Sequence, residues 1–190
     1  MNVRKVGLEV KMIAINTKSD LISALKDSIQ RAENWFSEIP ANDFFARQGE
    51  VWSPSDNVDH LIKAVKPLIK ALRLPKFTLH TMFGKPEKPS MTYEELCQIY
   101  RDELSKGAQA SGRYLPDQES PAENADAKKR ELLEQWSNAS TDLVFIAETL
   151  DESELDQYQL PHPILGKLTI REMLFFMIYH NLRHASQEGD

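Results

Sequence analysis

A chain of 190 residues, 41% hydrophobic and 27% charged, is long enough to bury a substantial core and has the composition of an ordinary globular domain. Its formal charge of −6 comes from acidic and basic residues mixed along the chain, which offers no basic face to a phosphate backbone or to anionic lipid, so neither nucleic acid nor a membrane is expected as a partner. The single cysteine, Cys97, excludes an internal disulfide, and the lack of a secretory-type apolar run at the N-terminus makes the reducing cytoplasm the expected setting.

At the start, Val6, Leu8, Val10 and Met12 alternate with Gly7, Glu9 and Lys11, a pattern for a short edge strand or for an extension, 1–16, ahead of a single domain within 1–190. Thr17 or Ser19 then caps a first helix, on which Ile22, Leu25, Ile29, Ala32 and Phe36 recur at spacings of three and four until Pro40 stops it. WSPSD opens a second helix: Ser53 caps, Pro54 takes the first helical position and Asp56 suits the positive end of the dipole. Trp52, just before the cap, reads as a hydrophobic staple. The apolar stripe of this helix is Val58, Leu61, Ile62, Val65, Leu68, Ile69 and Leu72; its charged stripe is Asp59, Lys63, Lys66, Lys70 and Arg73. His60 is on neither. It shares a third flank with Ala64, Pro67 and Ala71, small residues that suit a second helix contact or the wall of a cavity.

The proline-rich stretch LPKFTLHTMFGKPEKPS, residues 74–90, predicts a long ordered loop lying across the helices, with Phe77, Leu79, Met82 and Phe83 buried and His80 solvated. A capping box from Thr92 to Glu95 starts a third helix that fades near Gly112, and a second loop, LPDQESPAEN, follows. On that helix Cys97, beside Leu96 and Ile99, reads as a small core residue. A fourth helix, from about residue 123 to 150, carries Leu132, Trp136, Ala139, Leu143, Ile146 and Leu150 at bundle spacings. The fifth begins at the Thr169 to Glu172 capping box and runs to about Gln187. Trp35 and Trp136 are expected in the core. With four long helices, a shorter one and no strand, the fold class expected is all-α, a four-helix bundle.

The last helix poses a chemical problem. Its run LFFMIY, Leu174 to Tyr179, is far too short to span a bilayer and reads as a buried segment, yet His180 and His184 follow it directly. The two lie about 40° apart on a helical wheel, in the sector of Met173 and Met177, so they face the most apolar side. Buried imidazoles lose hydration, and either buried polar groups or a cation must satisfy them. Histidines at i and i+4 aim their nitrogens at one spot, which suits a metal; His60, His80, His162 and carboxylates are the candidates for a third ligand. Asp56, one turn before His60, is a candidate partner for a ligand's second nitrogen, while Asp59 turns to the lysine stripe and reads as solvated. Tyr179, Arg183 and Gln187 are placed to meet a substrate, although Arg183 also suits an exposed helix C-terminus.

The residues resemble a family. WSPSDNVDHL resembles the second helix of the DinB-like superfamily of metalloenzymes, and HPILGKLTIREMLFFMIYHNLRHASQ resembles its last segment, where a His-Pro and a Gly precede a capped helix ending in His, three residues, His. The likeness runs from Thr17 to Gln187, with residues 74–90 as a proline-rich crossover. It implies up-down-down-up connectivity and a divalent metal held by three histidines, which fall on His60, His180 and His184. His162 matches a frequent residue of the family that is not a ligand. Zinc or nickel is expected, with iron or manganese as alternatives that the ligand set does not separate. Such a site keeps open coordination positions and activates a bound water or thiol, so the resemblance implies metal-assisted hydrolysis or transfer of a low-molecular-weight thiol to a small-molecule electrophile. The second reading, from a different class, is a helical module that binds metal or a small ligand without turnover, stress-related in role. A homodimer through a helical face is expected.

Overall fold

In the computed structural model, residues 15–118 and 123–186 are described. The alternating stretch 6–12 and Gln187 lie outside the described residues. In chain order the elements are α1 (Lys18–Glu38), α2 (Ala41–Phe44), α3 (Pro54–Leu72), α4 (Lys76–Phe83), α5 (Tyr93–Ser105), a 3-10 turn (Gly112–Tyr114), α6 (Ala125–Thr149), α7 (Glu154–Gln157), β1 (Gln159–His162), β2 (Gly166–Thr169) and α8 (Ile170–His184). The all-α class is observed, with the two strands as a small accessory.

Local sequence explains where the helices start. Thr17, Ser53, Thr92 and Thr169 each open a helix with a reciprocal capping box, the hydroxyl accepting from the third helical N–H while Asp20, Asp56, Glu95 or Glu172 accepts from the cap's own N–H. Gly107, at a φ of 92°, ends α5; it takes the left-handed conformation from which its N–H donates to the Leu104 carbonyl at 2.9 Å.

Cross-chain contacts give the directions of the long helices. Lys18 at the start of α1 donates to the Glu148 carbonyl at the end of α6 (2.7 Å), and Lys129 at the start of α6 donates to the Ser37 carbonyl at the end of α1 (2.8 Å), so these two run antiparallel. Each lysine thereby serves the carbonyl-rich end of its neighbour. Ser28 of α1 meets Asn181 of α8 (3.2 Å), both near mid-helix or beyond, while the first residues of both helices converge on Glu152, which makes α1 and α8 parallel. Arg73 reaches Asp142 along a parallel α3 and α6 (3.1 Å), and α3 meets α8 head to tail. The order is therefore up-down-down-up for α1, α3, α6 and α8.

The core has two parts. Leu21, Leu25, Val65, Leu68, Leu143, Leu174 and Phe175 belong to the larger cluster; Phe36, Phe44, Val58, Leu61 and Trp136 belong to the smaller, where Phe36 meets Trp136 edge-on at 6.1 Å. Cys97 is buried, as expected, and burial pushes its thiol up to about 11. Trp136 is in the core; Trp35 is only half-buried.

Several expectations are corrected. Residues 76–83 form a helix within the predicted loop, since only the flanking Pro75 and Gly84 break the backbone there; of its apolar residues Leu79 is buried, but Phe77 and Met82 are 80% and 59% exposed. His80 is not a solvated loop residue: on α4 it stacks on Tyr158 at 4.5 Å. The third helix stops at Ser105, not near Gly112. HPILG, read as a loop, is the tip of an antiparallel hairpin that pairs His162 with Gly166, whose φ of 76° closes the turn. Strands of four residues are too short to display an alternation, and that is why no strand was expected.

Candidate metal centre

His60 from α3 and His180 and His184 from α8 come together, although 120 residues of chain separate the first two. One ring nitrogen from each lies within 4.8 Å of the others, and the Nε2 atoms of His60 and His180 are 3.0 Å apart. The ring centroids are 4.5 to 4.9 Å apart. The antiparallel crossing of α3 and α8 achieves this, because the third flank of α3 turns toward the apolar sector of α8. His60 and His180 are buried and His184 is half-buried.

Hydrogen bonds fix which nitrogens point inward. His60 Nδ1 donates to the Tyr114 carbonyl at 2.6 Å, and His184 Nδ1 donates to Asn57 Oδ1 at 2.6 Å. Both acceptors lack a proton, so those two rings carry theirs on Nδ1 and present bare Nε2 atoms to the centre. His180 Nδ1 is buried without a hydrogen-bond partner among the described residues. Burial lowers the pKa of all three, most strongly for His180 and His184, where repulsion by a neighbouring histidine charge adds to it; for His60 the hydrogen bond to Tyr114 opposes the shift. Neutral imidazoles with converging lone pairs repel each other unless a proton or a cation lies between them. The donor set therefore fits a metal ion: nitrogens sharing an ion at about 2.0–2.1 Å stand roughly 3 to 4 Å apart.

The remaining expected contributors are distributed differently. Asp56 does not touch the histidines; it completes the α3 cap and pairs with Arg47 at 2.7 Å. Asp59 is more than solvated, since it pairs with Lys63 (3.0 Å) and accepts the Asp117 N–H (2.8 Å), tying residues 114–117 onto α3. Tyr179 is set against Tyr100, with Arg101 over its ring, away from the cluster. Arg183 is half-buried, its Nη1 3.4 Å from His184 Nε2. His162 and His80 stand outside the trio. Trp52 does more than staple the helix. Its ring lies 5.0 Å from His60 and stacks on His184 at 6.1 Å, walling the site.

Sequence reasoning missed Asn57 and Tyr114. Asn57 was legible: with His60, Ala64, Pro67 and Ala71 it continues one flank at helical spacing. Tyr114 contributes a backbone carbonyl from a turn 54 residues away, for which no side-chain signal exists.

The trio opens on a cavity of ≈1700 Å³ between α3, α8, the hairpin and residues 107–115. Ala64, Pro67 and Ala71 line it, which fulfils the cavity-wall reading of that flank. Among the described residues no helix is long and apolar enough to cross a membrane.

Comparison with known proteins agrees with this architecture. Residues 24–187 match the DinB superfamily, and the chain belongs to it. No curated protein matches the chain. Among solved structures, the colibactin self-resistance protein ClbS in complex with a dsDNA is similar at 16% identity, over 89% of this chain and 91% of that one, with a TM-score of 0.47. That complex corrects the expectation that nucleic acid is excluded as a partner. The exclusion rested on net charge and on the mixing of signs along the sequence, neither of which fixes the local surface of the folded chain.

Proposed function

We propose that His60, His180 and His184 bind one divalent metal ion through their Nε2 atoms, and that the protein is a metal-dependent enzyme acting on a small molecule in the adjoining cavity. The observation that carries this reading is the pairing of a neutral three-nitrogen donor set with a cavity large enough for a substrate. A closed, buried site would favour a binding module without turnover; here the donors border open space.

A divalent ion in such a site supplies Lewis acidity and lowers the pKa of a water or thiol joining it, the chemistry shared by hydrolysis and by thiol transfer. The chain's own residues hold the arrangement. The Tyr114 carbonyl and Asn57 Oδ1 lock the rings of His60 and His184 by their protons, Trp52 covers one face, and Phe176, stacked on His180 at 4.7 Å, covers another. Three imidazoles suit zinc, nickel or iron.

Elemental analysis of the purified protein tests the site. Near-stoichiometric divalent metal is expected, lost in a His60→Ala variant; unchanged metal in that variant would reject His60 as a ligand. A panel of low-molecular-weight thiols against electrophiles, followed by loss of free thiol, tests the reaction class. Silence across the panel in metal-loaded protein, together with no hydrolysis of the same electrophiles, would leave the binding module as the reading that stands.

A further inference from the structure

The cavity contains a polar group that the three-histidine site does not use. His162 closes β1 and is 7% exposed. Its Nδ1 accepts the backbone N–H groups of Ile164 (3.2 Å) and Leu165 (3.0 Å) in the hairpin turn. A nitrogen that accepts two such bonds has no proton of its own, so the neutral ring carries its proton on Nε2. The ring meets Phe176 at 4.3 Å and Tyr100 at 6.3 Å between centroids, both edge-on. With Nδ1 turned to the hairpin backbone, the opposite edge, which carries Nε2, is left for the cavity that His162 lines. The hydrogen bonds that the ring makes to other described residues run through Nδ1.

Its surroundings decide what the N–H can take. Leu104, Pro161, Ile164, Met173 and Met177 also line the cavity, so a ligand on this side meets mostly apolar wall. Burial keeps the ring uncharged, and no cation contributes to that. A neutral donor in apolar surroundings offsets the desolvation of an uncharged oxygen far better than that of a carboxylate. Phe176 lies between His162 and His180, so a ligand bonded to His162 extends toward the trio across one aromatic ring.

We propose that His162 is a substrate-positioning residue, whose Nε2–H donates to the carbonyl oxygen of an uncharged, largely apolar ligand lying between α3, the hairpin and α8. The proposal deepens the enzyme reading and rests on its cavity, not on its metal.

The test uses two probes of like shape, acetonaphthalene and ethylnaphthalene, titrated into the full chain with binding followed by tryptophan fluorescence. The ketone should bind about tenfold more tightly than the hydrocarbon, the difference one buried hydrogen bond makes. In His162→Asn that preference should vanish while thermal midpoint and metal content stay as they were. Asparagine Oδ1 is attached to Cγ as Nδ1 is, so it still accepts the turn N–H groups, while its amide N–H donors, bonded directly to Cγ, stop short of the place that Nε2 holds. In the unmodified protein, a proton–nitrogen correlation spectrum should place the His162 proton on Nε2 and show it shifting with the ketone only. Equal binding of the two probes, binding of neither, an Nδ1 proton, or an undiminished preference in His162→Asn would each overturn the proposal. Should the protein hold no metal yet keep the ketone preference, the three-histidine reading falls and this one stands.

Discussion

Asn57 shows how much of a site can depend on one amide. Its Oδ1, 2.6 Å from His184 Nδ1, holds the ring so that Nε2 faces His60 and His180. Removing the acceptor leaves His184 free to rotate or to take the other tautomer, and the loss of such an orienting partner weakens metal binding by about 10- to 100-fold. Asn57→Ala should therefore bind metal more weakly by that factor, in a competition titration against a chromophoric chelator, with little change in helix content. Affinity equal to that of the parent would mean that packing against Trp52 alone orients the ring. The α8 pair was legible in the sequence for a physical reason, since His180 and His184 share an apolar sector on one helix; His60, which breaks both stripes of another, was one candidate among several until the family resemblance singled it out. Their orienting partners were less so. Asp56 looked suitable by spacing, yet its carboxylate is committed to Ser53 and Arg47. A backbone carbonyl such as that of Tyr114 has no residue type by which to be found.

Among the elements, α3 carries an internal proline that its position in the site explains. Pro67 lacks the N–H that would bond the Lys63 carbonyl one turn back, which is costly in a helix interior. Together with Ala64 and Ala71, it lines the cavity on a flank of α3 that carries no bulky side chain. Restoring the bond in Pro67→Ala should stabilise the protein by about 1–3 kcal/mol. Urea unfolding of the two proteins checks this. A less stable alanine variant would show that the ring's packing outweighs the missing bond. Helix starts were the most legible elements, because a hydroxyl and a carboxylate three residues apart satisfy orphan amides whatever the tertiary setting. Helix α4 and the hairpin were not. Both are short and depend on the rest of the molecule: Gln159 donates to the Phe83 and Lys85 carbonyls, and Lys167 also reaches Phe83, so each element holds the other.

For the whole molecule, the net charge of −6 says little about which surfaces meet which partners, because it is a sum over the chain. The summed response to pH is more informative, because the interior holds histidines that burial keeps neutral. His162 is the clearest case, its pKa lowered by burial alone from 6.5 to about 4. As pH falls through 6.5 the unfolded chain protonates this side chain, but the folded protein does so only near pH 4. Between those values the unfolded state binds more protons, so stability declines as pH falls. The contribution is fully present above 6.5 and lost by about pH 4, on the order of 3 kcal/mol for this one group. His60, His180 and His184 act in the same direction, since burial lowers each of them. Metal-free protein should therefore lose stability steeply below pH 6.5. His162→Asn, with nothing to titrate at that position, should show a shallower decline and become the more stable of the two as pH approaches 4. Chemical denaturation across this range measures the slopes. Parallel curves for the two proteins would mean that the His162 ring takes up its proton in the folded state nearly as readily as in the unfolded chain, by an opening of the hairpin that lets water reach it.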